Sequence, residues 1–109
     1  MIIYKITNTT NGKIFVGMTK RTLSDSFNSH IALSKRTDNS PLARAFRKYG
    51  RKSFTIDVLE TVDDDKEDPN AVKAFWIDRL NTMTPNGYNA YSKTHGTPIF
   101  TDKVSDKDI

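Results

Sequence analysis

The chain contains no cysteine. That absence removes two ways of stapling a small domain, since neither a disulfide nor a thiolate zinc site can form. A hydrophobic core must hold the fold instead, and 109 residues suffice for one domain with one modest core. Long apolar runs are also missing: none approaches the roughly 20 residues of a membrane span. The N-terminus has no basic stretch ahead of an apolar segment, so no signal peptide is expected. No internal repeat is present. No membrane partner is expected, and a cytoplasmic location fits. At 36% hydrophobic and 28% charged residues, the composition is that of an ordinary globular protein.

Acid is scarce in one half of the chain and base in the other. Residues 1–52 hold 11 Lys/Arg against Asp25 and Asp38, a surplus of nine positive charges. Residues 53–109 hold 6 Lys/Arg against 11 Asp/Glu, a deficit of five. The basic half suits a polyanion such as nucleic acid. Two solvated halves attracting each other would look the same in composition.

The chain opens on MIIYKITNTTNGKIFVG. Ile2, Ile3, Tyr4 and Ile6, then Ile14, Phe15 and Val16, supply two short strands. The intervening Thr9-Thr10-Asn11-Gly12 contains Asn-Gly, the strongest short hairpin signal, because both residues tolerate positive φ. A helix follows from Thr22 or Ser24 to about Lys35, with Leu23, Phe27 and Ile31 as its inward stripe and Ser26 and His30 on a neighbouring face. Ser40-Pro41 caps and starts a second helix, striped by Leu42, Ala45, Phe46 and Tyr49 and ended by Gly50. Phe54, Ile56 and Val58 alternate with Thr55 and Asp57 in a half-buried third strand. An acidic run, Asp63 to Asp68, precedes a third helix that Asp68-Pro69 caps, with Val72, Phe75, Trp76 and Leu80 facing inward. Thr84 to Asn89 is a turn cluster, and the chain from Ser92 is mostly polar. The order ββααβα predicts an α+β fold, a three-stranded antiparallel sheet with flanking helices over residues 1–91 and a polar tail over 92–109.

Read together, these motifs resemble the GIY-YIG nuclease family. Its two namesake tripeptides would be Ile2-Ile3-Tyr4 (or Ile3-Tyr4-Lys5) and Phe15-Val16-Gly17. Gly17-Met18-Thr19, then Phe27 and His30, the Lys48-Tyr49-Gly50 helix end, Phe75-Trp76-Ile77, Leu80-Asn81-Thr82 and Asn86-Gly87-Tyr88-Asn89 extend the likeness to about Tyr91. The resemblance implies phosphodiester hydrolysis with one divalent metal. A glutamate would hold the ion, an arginine would stabilise phosphate charge, and tyrosines and a histidine would handle water and proton.

Placed on this chain, the resemblance finds Tyr4, His30 and Asn89 kept. Lys73 stands at the metal-ligand position, Ser26 at the arginine position and Phe15 at the second tyrosine. A cation cannot replace an anionic oxygen ligand, and losing an arginine clamp alone costs on the order of 10³-fold or more. No metal or other cofactor is therefore expected, Mg²⁺ entering only if displaced residues keep an active nuclease. Asp68 and Asp78 are the helix carboxylates nearest in sequence to Lys73, and neither is expected to reach the site. Each retained residue has a plainer reading: Tyr4 as core packing, His30 as surface structure, Asn89 as a turn closer.

The sequence thus leads to a catalytically inactive domain that binds nucleic acid, DNA before RNA, or a nucleic-acid-processing complex. By resemblance, a phage interference or anti-defence role in the host cytoplasm is plausible. A protein-binding inhibitor on the same scaffold and a surviving metal-dependent endonuclease are the alternatives. The candidate binding residues are Lys73, Arg44, Arg47, Lys48, Arg51, Lys52, Lys35 and Arg36. Oligomeric state is not readable from the sequence.

Overall fold

The central strand decides the architecture. In the computed structural model, which describes residues 1–36 and 39–90, β1 (Ile2–Asn8) lies between β2 (Ile14–Thr19) and β3 (Phe54–Thr61), antiparallel to both. The predicted three-stranded antiparallel sheet and the order ββααβα are both present. The region from residue 91 on, including the expected tail, lies outside the described residues.

Because side chains alternate across a strand, β1 feeds two cores. Tyr4 and Ile6 point to one face and join Phe54, Leu42, Ala45, Phe46 and Tyr88, with Phe27 and Ile31 packed alongside. Here α1 (Leu23–Ser34) and α2 (Pro41–Tyr49) cover the sheet. Ile3 points to the other face and meets Val16 and Val62 beneath Val72, Trp76, Ile77 and Leu80 of α3 (Pro69–Leu80). Ile3, Ile6 and Val16 are fully buried, each contributing about 1.5–3 kcal/mol of transfer free energy.

The hairpin forms by a different turn from the simplest reading of Asn-Gly. Asn8 N–H donates to Lys13 O and Gly12 N–H to Asn8 O, closing a four-residue loop. Only Gly12 adopts positive φ, at 78°; Asn11 instead accepts from Lys13 N–H through its side chain. A longer loop with glycine at the left-handed position suits the strand twist equally well.

Two inward assignments are corrected. Val58 is 51% exposed. On edge strand β3 it stands opposite Tyr4, in alternation with Phe54 and Ile56, but does not join that core. The β1–β3 register shifts only beyond it, between Ile3 and Tyr4. Tyr4 pairs with Val58 and Ile3 with Glu60, leaving Leu59 as the extra residue, and Leu59 packs into the α3 core. A bulge of this kind breaks the alternation that sequence reading relies on. Phe75 is 55% exposed and rests edge-on against Trp76, centroids 5.4 Å apart. Ile77 takes the inward place instead. Trp76 remains half-buried, its indole N–H donating to Glu60 Oε1 at 2.9 Å.

The helix ends follow the sequence closely. Thr22 caps α1 by accepting from Asp25 N–H, Ser40 caps α2 through Ala43 N–H, and Asp68 caps α3 through Asn70 N–H. Prolines open α2 and α3, where a missing N–H costs nothing.

Candidate nucleic-acid site

Tyr4 is the fixed point of the site. It is only 3% exposed, and its hydroxyl lies 2.8 Å from His30 Nε2. Gly17, opposite Tyr4 across the hairpin, makes this possible. A Cβ there would fall 2.5 Å from both Tyr4 Cζ and the hydroxyl oxygen, so only a residue without a side chain lets the ring cross β2. Phe15 completes the cluster, its ring 5.2 Å from the His30 ring and 6.5 Å from Tyr4, centroid to centroid. Three elements thus bring Tyr4, Phe15 and His30 together.

Burial pushes the Tyr4 phenol up to about 12, because desolvation disfavours phenolate. At neutral pH the phenol keeps its proton, so it can share a hydrogen bond or offer one to an anion but cannot act as a base. Ser26 is buried on α1 and brings no cation. Phe15 brings no hydroxyl.

Lys73 stands on α3, which packs over Ile3 and Val16, the face of the sheet opposite Tyr4. Burial draws its ammonium below the usual lysine range. The donor set does not fit the divalent metal that the resemblance implies. Its ligand position is a cation, and among the described residues no three His, Asp or Glu side chains converge. Asp68 is occupied as the cap of α3, and Asp78 is exposed. A metal needs anionic oxygen, so no chemical step is assigned to one.

Asn89 has a structural task. Its Oδ1 accepts from Val16 N–H at 2.8 Å and from the Thr82 hydroxyl at 2.7 Å, and its Nδ2 donates to Val16 O at 3.0 Å. β2 is an edge strand, and an edge left open is a pairing hazard. Asn89 satisfies it, helped by Tyr88 N–H donating to Ile14 O at 2.9 Å. This edge closure is legible only weakly in sequence, through the turn cluster itself.

The candidate cations do not form one track. Arg47 turns back to the α1–α2 connection, donating to Ser34 O at 2.9 Å and to Asn39 Oδ1 at 3.1 Å. The Arg51 guanidinium lies over the Phe27 ring, 5.6 Å from its centroid. Lys35, Arg36 and Lys52 are exposed. Arg44 and Lys48 instead line a cleft with Lys13, a hairpin-turn residue that sequence reading did not count among the binding candidates.

Fold and site define a small nuclease-related α+β domain. No family model matches the chain, but individual proteins do. It is 33% identical over 109 residues to Intron-associated endonuclease 1 of Enterobacteria phage T4. That match takes in 98% of this chain and 43% of the relative, so the chain spans less than half the relative's length. The solved catalytic domain of the homing endonuclease I-TevI superposes with a TM-score of 0.69 at 33% identity, covering 83% of this chain and 97% of that one. A mutant form of the I-TevI catalytic domain gives 0.70, covering 82% and 93%. The chain belongs to the GIY-YIG family of homing-endonuclease domains. No helix among the described residues is long and apolar enough to cross a membrane.

Proposed function

We propose that this domain binds nucleic acid and no longer cleaves it by the metal-dependent chemistry of its family. The donor set carries the reading. Tyr4 and His30 keep their hydrogen bond, while Phe15, Ser26 and Lys73 stand where a hydroxyl, a phosphate clamp and a metal ligand are required. Binding survives such losses because it needs only cations and hydrogen-bond donors, whereas hydrolysis needs charge stabilised in the transition state. Relatives named as endonucleases support nucleic acid as the partner, and DNA is preferred to RNA. Occupying a target without cutting it suits interference with a nucleic-acid-processing complex, including an anti-defence role.

A second reading, docking onto such a complex as a protein inhibitor, is favoured by one feature. Phe75, 55% exposed on α3, lies on the helix that follows the acidic run.

Purified protein incubated with supercoiled plasmid and Mg²⁺ or Mn²⁺ is expected to leave the plasmid intact, yet retain salt-sensitive duplex binding by fluorescence anisotropy. Metal-dependent nicking that Tyr4→Phe abolishes would overturn the loss of catalysis. No salt-sensitive binding at low ionic strength would overturn the nucleic-acid reading in favour of the protein partner.

A further inference from the structure

A second concave surface lies beyond Tyr4 and His30, where the hairpin turn, α2 and the Thr82–Asn89 turn meet. It is a shallow, open cleft of about 240 Å³, lined by Asn11, Lys13, Arg44, Lys48, Tyr49 and Pro85 among others. Three of the lining side chains are cations and none is a carboxylate, although the chain carries 13 Asp/Glu in all. Two flat, apolar surfaces, the Tyr49 ring and Pro85, stand among those charges. The parts are held in place. Asn11 accepts from Lys13 N–H at 2.9 Å and donates to the Tyr88 hydroxyl at 3.3 Å. Arg44 is tethered to Asn39 O, and the Lys48 ammonium lies 5.3 Å from the Tyr49 ring centroid.

We infer that this cleft is a subsite for one unpaired nucleotide of a single strand. Its volume is below the ~300–1,000 Å³ typical of sites for whole small molecules, so it suits one unit of a longer ligand. A duplex presents phosphates on a convex surface and keeps its bases stacked inside, so it has no free base face to lay on the Tyr49 ring. An unpaired nucleotide offers both phosphate charge and a free base face, the combination that cationic grooves with aromatic platforms recognise. Position agrees. Lys13 sits opposite Asn8, four residues along β1 from Tyr4, roughly 13 Å at ~3.3 Å per residue. One strand can therefore reach the cleft and the Tyr4–His30 surface together.

This inference rests on the nucleic-acid reading, and the test separates the two. ¹⁵N-labelled protein is titrated with a thymidine trinucleotide, following backbone amides by NMR. In parallel, anisotropy compares a blunt duplex with the same duplex carrying a four-nucleotide single-stranded overhang. The expected result is saturable shifts at Asn11, Lys13, Lys48 and Gly87, with about tenfold tighter binding of the overhang substrate, the scale of one stacked base. Lys13→Glu and Lys48→Glu, each checked for folding by circular dichroism, remove that preference. Lys73→Glu, outside the cleft, weakens both substrates alike. Equal affinity for the two substrates, or a preference that survives both cleft substitutions, overturns the subsite while leaving general binding intact. Loss of binding to both substrates overturns the parent reading, and trinucleotide shifts confined to other amides overturn the subsite independently.

Discussion

Tyr4 and Lys73 are both ionisable groups drawn out of water, and burial acts on them with opposite sign. Tyr4, raised to about 12, binds its proton more tightly when folded than when unfolded, where a phenol titrates near 10. The stability this represents is complete below about pH 10 and is lost as pH climbs to about 12, on the order of 2–3 kcal/mol. Denaturant titrations between pH 9 and 12 are expected to show that loss in the wild type and a smaller one in Tyr4→Phe. Equal alkaline loss in both would place the shift elsewhere. Lys73, lowered by desolvation, holds its proton less tightly when folded. Its burial cost is therefore present at neutral pH and relieved as pH rises through its folded value toward the ordinary 10.5. Lys73→Met keeps the stem and removes the charge. It should raise the neutral-pH Tm while weakening nucleic-acid binding, an opposition that a purely structural lysine would not produce. Unchanged nucleic-acid binding in Lys73→Met would contradict a binding role for Lys73.

At the scale of elements, the closure of the β2 edge is the contact most exposed to single changes. Gly87 is held where an added Cβ would lie 2.5 Å from Thr82 O and 2.6 Å from Ile14 O. Both are backbone atoms that cannot rotate away. Gly87→Ala is expected to cost about 1–3 kcal/mol or more, as overpacking does. Asn89→Ala would strip the partners from buried Val16 N–H and C=O, at about 1–3 kcal/mol for each group left unpaired. Hydrogen exchange at Val16 reports the event directly: its amide should lose protection in both variants while Ile6, in the central strand, keeps its own. Unchanged Val16 protection in Asn89→Ala would show that other groups hold the edge. The same turn walls the cleft, so these variants should also lose the overhang preference.

Across the whole molecule, the surplus of positive charge in residues 1–52 is distributed by the fold rather than concentrated. Lys13, Arg44 and Lys48 gather at the cleft, Arg47 ties α1 to α2, and Arg51 stacks on Phe27. If Lys73 and the three cleft cations each neutralise one phosphate, the plot of log Kobs against log salt should slope at about −3 to −4. Removing any one of the four should make it shallower by about one unit. A slope near −7 would mean that the remaining exposed cations also engage the backbone.

Helices and strands were legible in the chain because their signals are local. Ser40-Pro41 and Asp68-Pro69 mark helix starts by satisfying nearby N–H groups, and the alternation from Ile2 to Ile6 needs only its own pleat. The Tyr4, Phe15 and His30 cluster was suggested only by the family resemblance, since a place on a strand or helix does not say which side chains meet. Other features had no local signal. The exposure of Val58 depends on how much of edge strand β3 the core covers, and the extra residue Leu59 on how β3 registers against β1. The helix phase that exposes Phe75 depends on where α3 meets the sheet. Asn89 became a structural clamp because β2 ended as an edge strand with Val16 open to it. The cleft joins residues up to 77 positions apart, Asn11 to Tyr88. Sequence determines which short segments form and what chemistry they carry. Only packing decides which of those side chains meet, because burial and edge closure are properties of segments already brought together.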